Sequence, residues 1–169
     1  MSEIRLNLGC GKTKLKGFVN VDCEKGAGID KVWDLNTFPY PWEEGSVSEI
    51  VMDNVLEHLD KPKRVIEELW RISADGARIR IMIPWHKKMT TLWVPEHKTE
   101  FAPEWFRTFD HRDEWHVSAY GRHGYSPKEN FRIVSLRRKR RGERIFRKMP
   151  MVTRMLIYEI EVVMEAVKD

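Results

Sequence analysis

The chain has 169 residues, 41% hydrophobic and 33% charged, which is enough to bury a core and too apolar for a disordered chain. No apolar run approaches the roughly 20 residues a membrane-spanning helix needs, and the opening Met-Ser-Glu-Ile-Arg lacks the apolar core of a secretory signal. Cys10 and Cys23 are the only cysteines, so a disulfide scaffold is excluded and a reducing cytoplasm is the expected compartment.

The net charge of +4 is local in origin. Residues 137–148, "RRKRRGERIFRK", hold eight basic residues and one acid; the rest of the chain has 22 basic and 25 acidic residues, a balance of −3.

In chain order, Ile4, Leu6 and Leu8 alternate with polar residues and are stopped by Gly9-Cys10-Gly11. Phe18–Asp22 reads as a second strand, and "GAGIDKVWDL" carries a short third one ending near Asp34. After the turn-rich "PYPWEEGS", a fourth strand ends about Met52 or Asp53. Asp60 reads as a helix N-cap, with Pro62 in the first turn and Val65, Ile66, Leu69, Trp70 and Ile72 at helical spacing as far as Asp75-Gly76. "ARIRIMIP" is a fifth strand. Residues 85–130 carry four tryptophans and five of the six histidines with little periodicity, and a short helix is expected near "PEWFRTF". Residues 131–136 form a strand. The period-two pattern of Tyr158, Ile160, Val162, Met164 and Ala166 predicts a final strand. Strands alternating with helix predict an α/β fold with a mainly parallel sheet.

The glycines and aspartates fall at strand ends. Small residues there let a ligand approach the backbone, and open parallel sheets bind ligands beyond the carboxyl ends of their strands. Asp22 suits a pair of ribose hydroxyls, since a carboxylate accepts two hydrogen bonds. Asp34 is placed to accept from an exocyclic amine such as that of adenine.

With these features in place, "LNLGCG", "GFVNVD", "PYPWEEGSVSEIVMDNVLEHL" and "ARIRIMIP" resemble the class I S-adenosylmethionine-dependent methyltransferases, in particular the small type 11-like group. The resemblance is ordered over residues 4–84 and resumes loosely at "HKTEFAPEWF". It implies a Rossmann-like, seven-stranded, mostly parallel sheet whose last strand is antiparallel, with S-adenosylmethionine across the strand ends. Residue by residue, it implies Gly9, Cys10 and Gly11 at the methionine part, Asp22 at the ribose, Cys23 near adenine, and Asp34 and Leu35 at the adenine edge. Asp53 and Asn54 would line the channel to the methyl group. Asn7 stands where many members carry an acid. One domain over 1–169 is implied, with a cofactor half at 1–84, an irregular acceptor or cover segment at 85–130, and C-terminal strands at 131–169.

Residues 9–17 and the stretch after Asp22 are too short for ordinary crossover helices, so helices near the N-terminus should be reduced. A parallel sheet is covered on both faces; residues 85–130 or a second copy in a homodimer should supply that cover. His58 and His86, just after the fourth and fifth strands, are the candidate general bases, with a structural role as the alternative. His97, His111, His116 and His123 show neither a cysteine pattern nor tight ligand spacing, so no metal is expected. "DNVL" after the fourth strand, where an Asn-Pro-Pro-Tyr-like stretch would stand, argues against an amino-methylating DNA enzyme.

The reading is therefore a methyltransferase with a small-molecule acceptor, such as a sugar or glycan precursor. Two alternatives stay open: an RNA-modifying enzyme that uses the basic run, and a non-catalytic cofactor-binding partner subunit. The basic run itself reads as a charged hairpin turning at Gly142, a nucleic-acid patch, or a patch for acidic acceptors or membrane headgroups.

Overall fold

Strands that alternate apolar and polar residues set their apolar side chains on one face, and that face carries the main core of the sheet. A computed structural model describes residues 4–85, 95–120, 127–140 and 158–168. The strands are β1 (Ile4–Leu8), β2 (Val19–Asp22), β3 (Lys31–Val32), β4 (Val47–Asp53), β5 (Ser73–Trp85), β6 (Asn130–Arg140) and β7 (Tyr158–Val167). They form one seven-stranded sheet in the order β3-β2-β1-β4-β5-β7-β6. β1 to β5 pair in parallel, and β7 runs antiparallel to both β5 and β6. This is the sheet that the resemblance implies.

Register sorts the side chains into rows. Leu6, Ile50, Ile79 and Met164 stand opposite one another across β1, β4, β5 and β7, as do Leu8, Met52, Ile81 and Val162. All eight have no exposed surface. Helix α1 (Pro62–Ile72) lays Val65, Ile66, Leu69 and Ile72 on this face, and α2 (Pro103–Arg107) adds Phe106. Burying each such side chain contributes about 1.5–3 kcal/mol. A further short helix, α3 (Glu114–Tyr120), gave no periodic signal in the sequence.

The opposite face carries a charged row, although Asn7, Val51, Glu161 and Val163 on it are buried. Arg5 stands opposite Glu49, Glu49 opposite Arg78, Arg78 opposite Glu165, and Glu165 opposite Arg132, an alternating row across five strands. Arg5–Glu49 is a 3.7 Å ion pair, Arg132 pairs with Glu165, and Arg80–Glu161 adds a 3.7 Å pair in the neighbouring rows. Opposite charges on directly opposed positions stabilise a sheet.

The crossovers near the N-terminus contain no helix. Asn20 does the work of one. Its Oδ1 accepts from Asn7 Nδ2 and from the Leu15 amide, both at 2.9 Å, and its Nδ2 donates to Asp30 Oδ2 at 3.0 Å. Two helix boundaries differ from the expectation. The N-cap position of α1 is Lys61 and carries no side-chain cap; the Asp60 carboxylate pairs instead with Lys98 Nζ at 2.6 Å. At the other end Ser73 stops α1 before Asp75-Gly76, with its hydroxyl donating to the Leu69 carbonyl at 2.7 Å. Residues 74–77 then form an irregularity between β4 and β5.

The final strand is present as expected. The turn expected at Gly142 lies outside the described residues, but β6 and β7 pair antiparallel as far as Arg140 opposite Tyr158. Among the described residues no helix is long and apolar enough to cross a membrane.

Candidate cofactor site

β1 and β2 end side by side, and their ends are joined by two hydrogen bonds. The Gly11 amide donates to Asp22 Oδ2 at 2.7 Å, while the Cys10 amide donates to the Val21 carbonyl at 3.0 Å. Burial would raise the Asp22 carboxyl, but the Gly11 and Glu24 amides and the Cys23 thiol outweigh it and hold Asp22 below the ordinary carboxylate range. The carboxylate is thus ionised and fixed in direction. Burial raises the Cys10 and Cys23 thiols, and for Cys23 the neighbouring Asp22 charge adds to it, so neither is an activated nucleophile.

Gly9 has φ +65°, and a Cβ there would lie 2.4 and 2.7 Å from the Val55 methyls. The glycine therefore admits Val55 from the end of β4, a reason the sequence did not supply. Gly11 has φ +47° and open space where a Cβ would stand.

The end of β4 is conformationally unusual. Asn54 has φ 54°, a region that non-glycine residues seldom occupy and that recurs at functional sites. Its amide is held by the Met82 carbonyl at 2.9 Å and its Nδ2 by Asp53 Oδ1 at 2.6 Å. Its Oδ1 is buried with no hydrogen-bond partner among the described residues.

Beyond β3, Asp34 Oδ1 accepts from the Asn36 amide at 2.9 Å, and Asn36 Oδ1 accepts from the Asp60 amide at 2.9 Å. Leu35 is set from beneath. Tyr40 Oη donates to the Leu35 carbonyl at 3.0 Å, the Tyr40 amide donates to Glu68 at 2.7 Å, and Arg71 pairs with Glu68 at 2.8 Å.

These pieces enclose a cavity of about 310 Å³ lined by Gly9, Asp22, Cys23, Asp34, Leu35, Asn54 and His58 together with Trp33, Asn36, Val55 and Leu59. The volume is at the lower end for small-molecule sites. Two larger clefts, of about 700 and 900 Å³, lie where β4 and β5 begin, the wrong end of a parallel sheet for a ligand.

Six of the ten expected cofactor residues thus meet in one cavity. Asn7 does not line it: its Nδ2 donates to the Thr13 carbonyl at 2.8 Å and to Asn20, holding the loop in shape. Cys10 is buried beneath the loop, Gly11 acts through Asp22, and Asp53 is exposed beside Asn54. Trp33 was missed in the sequence because a two-residue β3 leaves no pattern; its Nε1 is buried without a partner among the described residues. His58 lines the cavity, with Nδ1 3.1 Å from the Glu96 carbonyl. His86 lies outside the described residues. Of the tryptophans of 85–130, Trp105 packs against the core with Phe101, Phe106 and Phe109, while Trp115 is exposed beside Arg107.

No family model and no curated protein matches this chain. Solved structures do. The protein in complex with the Haloferax volcanii Trm112 methyltransferase activator is 13% identical, with 99% of this chain and 83% of that one aligned at a TM-score of 0.61. The [4+2]-cyclase SpnF is 10% identical, with 99% and 76% aligned at 0.60. Burkholderia thailandensis 1,6-didemethyltoxoflavin-N1-methyltransferase, solved with its acceptor and S-adenosylhomocysteine, is 12% identical, with 98% and 71% aligned at 0.59. The same architecture thus carries a cyclase as well as methyltransferases, so likeness at these identities speaks for architecture and not for a reaction. The chain has the class I S-adenosylmethionine-dependent methyltransferase fold.

Proposed function

We propose that this chain binds S-adenosylmethionine and transfers its methyl group to a small-molecule acceptor. One observation carries the reading: Gly9, Asp22, Cys23, Asp34, Leu35 and Asn54, expected at successive parts of one cofactor, line a single cavity at the strand ends. The fit is chemical as well as spatial, since Asn54 Oδ1 and Trp33 Nε1 are a buried acceptor and a buried donor without partners among the described residues.

When bound, the cofactor supplies a methyl group activated by sulfonium. Asp22, oriented by the Gly11 amide, would accept the ribose hydroxyls. Asp34 and Leu35 would border the adenine, with Leu35 held by Tyr40. Asn54 Oδ1 would take a donor of the methionine part. Trp33, Val55 and Leu59 exclude water from the cavity wall. A carbonyl can only accept, so His58 carries its proton on Nδ1 toward Glu96; its Nε2 is then free to take a proton from the acceptor.

Both cysteines are free thiols, which supports a reducing, cytoplasmic setting. The reading as a non-catalytic partner subunit draws on the crossovers between β1, β2 and β3, which contain no helix and leave a short cofactor wall.

The test is to incubate the full chain with methyl-labelled S-adenosylmethionine and separate metabolite and RNA pools. Label in the metabolite fraction is expected. Label confined to RNA would overturn the acceptor class, and no transfer despite cofactor binding would favour the partner subunit.

A further inference from the structure

The later histidines lack ligand spacing in the sequence, but folding brings one of them to His58. The amides of Lys98 and Thr99 both donate to the Glu57 carbonyl, at 2.8 and 3.2 Å, and Lys98 Nζ reaches Asp60. Residues 97–99 are thereby strapped across the short 3-10 turn Leu56–His58. The strap lays the His97 ring against His58, with centroids 4.8 Å apart at 69°. Beneath them the Glu57 side chain is 2% exposed. One ligand atom from each of Glu57, His58 and His97 lies within 4.8 Å of the other two.

The donor set suits a divalent transition metal. Two imidazoles and a carboxylate suit zinc, and three protein ligands leave the fourth position of a tetrahedral ion open. His58 is held as metal-binding imidazoles are held, with one ring nitrogen on a backbone carbonyl and the other facing the cluster. Its Nε2 is 3.9 Å from Glu57 Oε1, too far for a hydrogen bond. Ligand atoms on a tetrahedral zinc stand about 3.3 Å apart, so side-chain rotations of roughly an ångström close the set around an ion.

We propose that Glu57, His58 and His97 form a zinc site at the rim of the candidate cofactor cavity, its open position taking an oxygen or nitrogen atom of the acceptor. In that role His58 holds the ion and does not take the proton. The link to an acceptor rests on the methyltransferase reading; the binding of zinc does not.

The metal-stripped full chain is titrated with zinc against a chromophoric chelator, and with cobalt followed by absorbance. One equivalent of zinc is expected, and a cobalt spectrum without a thiolate band, which sets aside Cys10 and Cys23. His97→Ala and His58→Ala should each weaken binding at least tenfold while circular dichroism stays native. Glu57 is buried and its replacement could unfold the chain, so the two histidine variants decide the outcome. Failure to bind one equivalent, or equal affinity in both variants, would overturn the site. A parallel titration with S-adenosylhomocysteine separates the two ideas: zinc bound without cofactor supports the site and sinks the methyltransferase reading, and cofactor bound without zinc does the reverse.

Discussion

The Gly11 amide and the Asp22 carboxylate, 2.7 Å apart, tie the ends of β1 and β2 together where a crossover helix would ordinarily do so. The same contact aims the carboxylate at the candidate cavity, so one hydrogen bond serves both fold and site.

Gly9 is required by Val55. Gly9→Ala should destabilise the protein by about 2 kcal/mol, from overpacking and a left-handed backbone. Adding Val55→Ala should restore part of that loss, because only the steric half is relieved. Thermal melts of the single and double variants check this; no recovery would mean that backbone strain alone sets the cost.

The charged face should respond to sign. Glu49 stands between Arg5 and Arg78, so Glu49→Lys should cost about 1 kcal/mol by placing like charges opposite one another. Glu49→Gln should cost less. Urea unfolding at low and high salt decides it, since screening should recover most of the loss in the lysine variant.

Acid should weaken the fold through Glu68 and Asp110. Burial would raise both carboxyls, but Arg71 and the Tyr40 amide outweigh it at Glu68, and Arg112 and the Ile133 amide do so at Asp110; both lie below their ordinary values. A group depressed on folding leaves the unfolded chain binding more protons. Its contribution is therefore complete above about pH 5 and is lost as pH falls through the depressed folded values. Denaturation from pH 7 downward should show this decline, and Glu68→Gln, less stable at neutrality, should show a shallower one.

How far the sequence carried depended on whether a signal was local. β1, β4, β5 and β7 were legible because alternation and glycine or proline stops are written along each strand. The convergence of Asp22, Asp34 and Asn54 followed from their being strand ends. Other features are tertiary. Asp60 looked like an N-cap, and only the fold reveals Lys98 beside it. Asn7 looked like a weakened acid, and only Asn20 explains it. His97 is thirty-nine residues from His58 in sequence, so no spacing rule could pair them.

The basic run begins on β6, an outer strand of the sheet. Positive charge on an edge strand discourages pairing with another sheet. Arg138→Ser with Arg140→Ser should leave the fold and cofactor affinity unchanged while lowering solubility at high concentration. Light scattering and cofactor titration read the two arms. Loss of a steeply salt-dependent RNA affinity in the same variant would instead promote the RNA reading.

Titration calorimetry of S-adenosylhomocysteine onto the intact protein and onto Asp22→Ala tests the central claim most directly. One-to-one binding is expected, with the variant weaker by about 1.5–3 kcal/mol, roughly ten- to a hundredfold, for lost hydrogen bonds to a charged group. No binding by the intact protein, or equal binding by a folded Asp22→Ala, would contradict it.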